Sequence, residues 1–105
     1  MRGKINCRVY LNEEGRATLT AYITHETVPD ALYERLLVGD TILEQQILLA
    51  ASEEAAKRGI EVLGWEWTHR SSITNGIADF YEGAVSEDSE PKTDIFHFEA
   101  EVVEE

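Results

Sequence analysis

The sequence predicts an α+β domain of element order ββααβββ: a mainly antiparallel five-stranded sheet with its helices packed on one face. Three observations carry that expectation. Five stretches alternate apolar and polar residues with a period of two, as half-buried strands do. Two stretches between the second and third of these repeat apolar residues at helical spacing, opened by capping residues and closed by glycine. Short loops join consecutive strands, which favours antiparallel neighbours. At 105 residues the chain has the size of one domain, spanning 1–105, with no internal repeat or linker.

Lys4 to Leu11 alternates cleanly. Ile5, Cys7, Val9 and Leu11 share one face, and Lys4, Asn6, Arg8 and Tyr10 share the other. Asn12-Glu13-Glu14-Gly15 is a short loop whose glycine tolerates positive φ. Ala17 to Ile23 alternates again, with Ala17, Leu19, Ala21 and Ile23 inward and Thr18, Thr20, Tyr22 and Thr24 outward. These two strands read as a β-hairpin.

Thr27-Val28-Pro29-Asp30 reads as a helix start, with Thr27 as cap and Asp30 three residues on. The helix runs to about Leu37 on Leu32, Leu36 and Leu37, and Gly39 ends it. Asp40 or Thr41 caps a second helix, Thr41 forming a capping box with Glu44. Its apolar stripe is Ile42, Leu43, Ile47, Ala50, Ala51 and Ala55. Glu53 with Lys57 and Glu54 with Arg58 are favourably oriented i,i+4 pairs, and Gly59 closes the helix.

Ile60 to His69 reads as the third strand, with Leu63, Trp65, Trp67 and His69 on one face. Asn75-Gly76 is a strong two-residue hairpin signal. As the turn it sets Trp67 opposite Ala84 and His69 opposite Glu82, unless the polar run His69 to Ser72 holds a bulge or lengthens the loop. Ile77 to Val85 is the fourth strand, with Ala78, Phe80, Glu82 and Ala84 on one side and Asp79 and Tyr81 on the other. Ser86 to Thr93 is polar, acidic and carries Pro91, so it reads as an exposed loop. Asp94 to Val103 is the fifth strand. Phe96, Phe98, Ala100 and Val102 face one way, and Ile95, His97, Glu99, Glu101 and Val103 face the other; Glu104 and Glu105 fray.

The charge is uneven. The formal net charge is −12, from 9 Lys plus Arg against 21 Asp plus Glu. Residues 1–52 are close to balanced, and nearly all of the excess falls in residues 53–105. Too few cations remain to offset phosphate charge, so direct nucleic-acid binding is not expected. No apolar run reaches the ~18 residues that span a bilayer, and no basic and then apolar opening suggests a secretory signal. Cys7 is the one cysteine, placed as a small core residue, and it fits a reduced, cytoplasmic setting.

The chemistry-bearing candidates are few. His97-x-Glu99-x-Glu101 places three metal-ligand types on one strand face, but neighbours there are roughly 6.5–7 Å apart and ligand bonds are ~2 Å. A solvated strand face is the better reading, and no metal or cofactor is expected. No Gly-x-Ser-x-Gly elbow or glycine-rich phosphate loop occurs, which argues against an enzyme. Trp65-Glu66-Trp67 is the most unusual local feature, read either as core under the helices or as an anchor for a partner.

These features favour a non-enzymatic binding protein whose acidic half docks on a basic partner protein and inhibits it. Carboxylates on one strand face approximate the phosphate spacing of a DNA strand, the logic of nucleic-acid mimics and of immunity-type inhibitors. The expected contacts are Glu82, Glu87, Asp88, Glu90, Asp94, His97, Glu99 and Glu101, with Trp65 and Trp67 as apolar anchors. A second reading is a small enzyme or ligand-binding domain using His97, His69 and Glu82 in a sheet-face pocket. A third is a homo-oligomeric structural protein, a homodimer in its simplest form, that pairs through its open sheet face or an edge strand.

Overall fold

The computed structural model describes residues 1–90 and 93–104; the expectations for Pro91 and Glu105, and the cation Lys92, lie outside that range. The elements follow the expected order: β1 (Arg2–Leu11), β2 (Arg16–Thr24), α1 (Asp30–Leu37), α2 (Thr41–Ala56), β3 (Glu66–Ile73), β4 (Gly76–Ala84) and β5 (Asp94–Val103). The strands form one sheet in the order β3-β4-β2-β1-β5, and every neighbouring pair is antiparallel. The β3–β4 hairpin therefore lies on one flank of the β1–β2 hairpin. β5 is added on the far side, along β1.

Alternation fixes which face is covered. Ile5, Cys7, Val9 and Leu11 of β1 and Ala17, Leu19, Ala21 and Ile23 of β2 are all buried under the helices. Phe96, Ala100 and Val102 of β5 join them, against Leu32 and Leu36 of α1 and Leu43, Ile47, Ala51 and Ala55 of α2. Burying each large aliphatic side chain here contributes about 1.5–3 kcal/mol. The α2 helix lies along β5. Its Gln46 side chain bonds Val103 at one end of the strand, and the guanidinium of Arg58, in the turn just past the helix, stands 3.9 Å over the Phe96 ring towards the other.

The helix ends differ in part from expectation. Thr27 does not cap α1; its hydroxyl donates to the Lys4 carbonyl at 2.6 Å, which ties the helix approach to β1, and Pro29 takes the cap position without a side-chain bond. Asp40 caps α2 by accepting from the Ile42 and Leu43 amides. It also binds Arg35 of α1 at 2.7 Å, so one carboxylate joins the two helices. Ile42 is not in the buried stripe; it points outward, as does Leu49, and Leu48 is buried instead. Lys57 pairs with Glu54 rather than with Glu53.

The larger correction concerns β3. It begins at Glu66, later than expected, and residues 60–65 form a strap with a single bridge from Val62 to Val85. The hairpin turn is one residue early: Ile73 pairs with Gly76, and Asn75 takes the positive φ of 65°. A bulge then separates Trp67, opposite Tyr81, from His69, opposite Phe80. The bulge turns His69 onto the open face, so it shares neither a face with Trp67 nor a pairing with Glu82.

What holds this register is a charged pair beneath the helices. Asp79 of β4 is 3% exposed, and Arg70 lies directly opposite it on β3. The guanidinium donates to both Asp79 oxygens, at 2.6 and 3.1 Å, and to the Leu36 and Leu37 carbonyls at the end of α1.

Three consequences are measurable. Asp79→Ala leaves a guanidinium without its carboxylate and frees the α1 terminus, and is expected to cost about 3 kcal/mol in urea unfolding. The Leu43 amide, then Arg35, hold the Asp40 carboxyl below its ordinary value. Its stabilisation is present above the unfolded-state value and disappears as pH falls through the folded one. Asp40→Asn keeps a capping side chain, so its stability deficit at neutral pH should shrink in acid. Burial pushes the Cys7 thiol up to about 12, so it should resist thiol reagents in the native protein and react at once after unfolding.

Candidate functional site

Three surfaces compete as the functional one: the open sheet face, the tryptophan strap and the hairpin end of the sheet. The open face is built by the residues that alternate with the core. Register aligns them in rows across the five strands. One row is His69, Phe80, Thr20, Arg8 and His97; the next is Ser71, Ala78, Tyr22, Asn6 and Glu99. The His69 ring stacks on Phe80 with centroids 4.3 Å apart.

Three of the open-face carboxylates already have cations, while Glu66, opposite Glu82, has no ion pair among the described residues. Glu101 binds Arg2 at 2.8 Å, Glu99 lies 3.8 Å from Lys4, and Glu82 binds Arg16 at 2.9 Å. The first strand's basic residues, which alternate on the same face as those of β5, cancel the acidic stripe read from β5 alone. Glu82 is also separated from β5 by β2 and β1, so it does not extend the Glu99–Glu101 row. His69 and His97 stand on opposite edge strands, four strand spacings or about 19 Å apart. With Glu82 facing Arg16, the trio His97, His69 and Glu82 does not converge on one pocket. Among the described residues, no three His, Cys, Asp or Glu side chains come together closely enough for a metal ion.

The two tryptophans part company. Trp65 packs against the core, and its indole N–H donates to Ser52 of α2 at 3.0 Å. Trp67, beyond the strap, is 53% exposed, and Leu63 is 67% exposed. The strap crosses β4 closely at Gly83, where a Cβ would meet the Gly64 carbonyl oxygen at 2.5 Å. A groove of about 260 Å³ runs between strap and helix, lined by Leu48, Leu49, Leu63 and Trp65 among others. The apolar anchor expected from Trp65-Glu66-Trp67 is thus divided between a wedged Trp65 and a free Trp67.

The hairpin end groups five further exposed acids; Glu26, Glu34, Glu53 and Glu66 are exposed elsewhere on the fold, also without an ion pair among the described residues. The Val85 amide donates to the Gly15 carbonyl at 2.9 Å, which brings the β1–β2 turn against the loop after β4. That loop is itself held to the strap: Ser86 N–H donates to the Glu61 carbonyl, and buried Ser89 accepts from the Glu61 amide. Glu13, Glu14, Glu87, Asp88 and Glu90 are exposed here. None of them enters an ion pair among the described residues. Asp94 begins β5 at the same end and accepts from the Ile95 amide. Glu13, Glu14, Ser86 and Glu87 border a groove of about 340 Å³. Glu13 and Glu14 were absent from the expected contact set; they belong to a hairpin whose turn could be read, but its neighbour in space could not.

A polar cluster beneath the helices also went unread. Glu44 of α2 lies near Tyr81, beside Asp79 and Arg70. Burial first, then the neighbouring carboxylate, raises the Glu44 carboxyl above its usual value, and burial raises the Tyr81 hydroxyl likewise. Four surface grooves lie elsewhere and do not border it; its contacts are with β4, β3 and the end of α1.

No protein-family model matches the chain, and neither the curated proteins nor the solved structures hold a match to it.

Proposed function

We propose that this chain is a non-enzymatic binding protein that docks its acidic hairpin end on a cationic partner protein and blocks it. The observation that carries the reading is the group of five exposed carboxylates, Glu13, Glu14, Glu87, Asp88 and Glu90, without ion partners among the described residues. On the open face, by contrast, Glu101, Glu99 and Glu82 are matched by Arg2, Lys4 and Arg16. Uncompensated charge at one end speeds encounter with an oppositely charged surface, and close pairing with Lys and Arg then holds the complex. Exposed Trp67 and Leu63, at the neighbouring strap, supply apolar contact beside the charges. A basic groove that ordinarily takes nucleic acid is the partner surface this chemistry fits, and occlusion is the mode of inhibition.

The test is capture from lysate on the immobilised protein, loaded at low salt and eluted by a salt gradient. The expected result is one basic protein, released by salt and competed by DNA. Reversing Glu87, Asp88 and Glu90 to Lys together should lower affinity at least about a hundredfold and flatten its salt dependence. Reversing Glu99 and Glu101 should matter much less. Equal losses from the two sets would remove the acidic end from the interface, and retention of no specific protein would remove the reading itself.

A further inference from the structure

The free edge of β5 carries backbone groups that no other described residue pairs. Val103 turns both its N–H and its C=O away from β1, because the Gln46 amide bonds both, at 2.7 and 3.0 Å. In an antiparallel ladder this orientation repeats every second residue, so Glu101, Glu99, His97 and Ile95 present their backbone groups to the same edge. The two ends of that edge are closed: Gln46 takes Val103, and the Asp94 carboxylate accepts from the Ile95 amide at 2.9 Å. Between them, His97, Glu99 and Glu101 remain open on a strand that pairs with β1 over its full length without a bulge.

Charged side chains usually guard such an edge. Here the guard is thin: Arg2 binds Glu101 at 2.8 Å, and Glu99, 3.8 Å from Lys4 with its side chain 55% exposed, stays accessible to a second partner. We infer that the β5 edge pairs with the β5 edge of a second copy of this chain, antiparallel about a two-fold axis at Phe98.

The choice of occupant follows from self-complementarity. With the axis at Phe98, His97 lies opposite the partner copy's Glu99, and the symmetric contact repeats it, so an imidazole N–H meets a carboxylate twice. Moving the axis by one residue sets Glu99 against its own copy or His97 against its own copy. The same axis brings the half-buried Phe98 against its counterpart in a non-hydrogen-bonded pair, where side chains approach most closely. An unrelated strand has no reason to match His97, Phe98 and Glu99 in that order. This inference is independent of the acidic end, which lies in loops beyond the paired segment.

Sedimentation equilibrium of the intact protein tests it. A reversible dimer is expected. His97→Glu should weaken it about tenfold by setting carboxylate against carboxylate at both symmetric contacts. The double exchange H97E/E99H should restore it. Both positions are exposed, so the fold is not at stake. In parallel, F98C should form a disulfide-linked dimer on mild oxidation and E101C should not, while buried Cys7 stays silent. A monomer at every concentration overturns the proposal. So does a dimer indifferent to H97E, or one in which F98C fails to crosslink.

Discussion

Asp79 is a carboxylate set among apolar side chains, and the arrangement around it depends on Arg70. The two face each other across β3 and β4, so their contact fixes how one strand slides against the other. The same guanidinium accepts no substitute easily, because it also completes the carbonyls at the end of α1. A single side chain thereby joins an edge strand to the helical layer. Once Arg70 is committed to the covered face, the chain must lose a residue's worth of alternation before Trp67, and the bulge at Thr68 provides it. From that follow the outward His69, the exposed Trp67 and the strap that leans on Gly83.

The central strands could be read from the sequence because each carries an unbroken alternation with one side apolar. Slipping β1, β2 or β5 by one residue would expose a full row of Ile, Val, Leu and Phe, so burial alone decides their faces. The second helix was legible for a similar reason, with Asp40 and Gly59 marking its limits. The third strand was not. Its residues from His69 to Ser72 are polar on both faces, and nothing local distinguishes a turn at Asn75-Gly76 from one a residue earlier. The deciding contact, Arg70 with Asp79, lies across the hairpin and only becomes visible once the register is known. The outward Ile42 was misread because a helical stripe constrains the mean direction of an apolar face and not its margins.

Charge was harder to read than hydrophobicity. A count along the chain gives an acidic second half, yet the sheet places the basic first strand directly beside the acidic fifth one. Opposite charges as far as 99 residues apart in sequence become neighbours, and the open face loses its excess. Acids in the turns keep theirs, because a turn has no facing strand. The distribution of net charge on this molecule is therefore set by strand order rather than by position in the chain.

Strand order also imposes a sequence of events. Of the five strands, the one that flanks β1 on its outer side is synthesised last, so after β4 has covered the β2 edge the β1 edge is still unsatisfied. The two helices and the β3–β4 hairpin must all be translated before β5 can close it. During that interval the nascent protein presents the same backbone template that β5 will occupy, with Arg2, Lys4 and Arg8 along it and no carboxylates yet opposite them. Those cations repel other nascent copies and mark β1 as a strand protected in transit by its own charge.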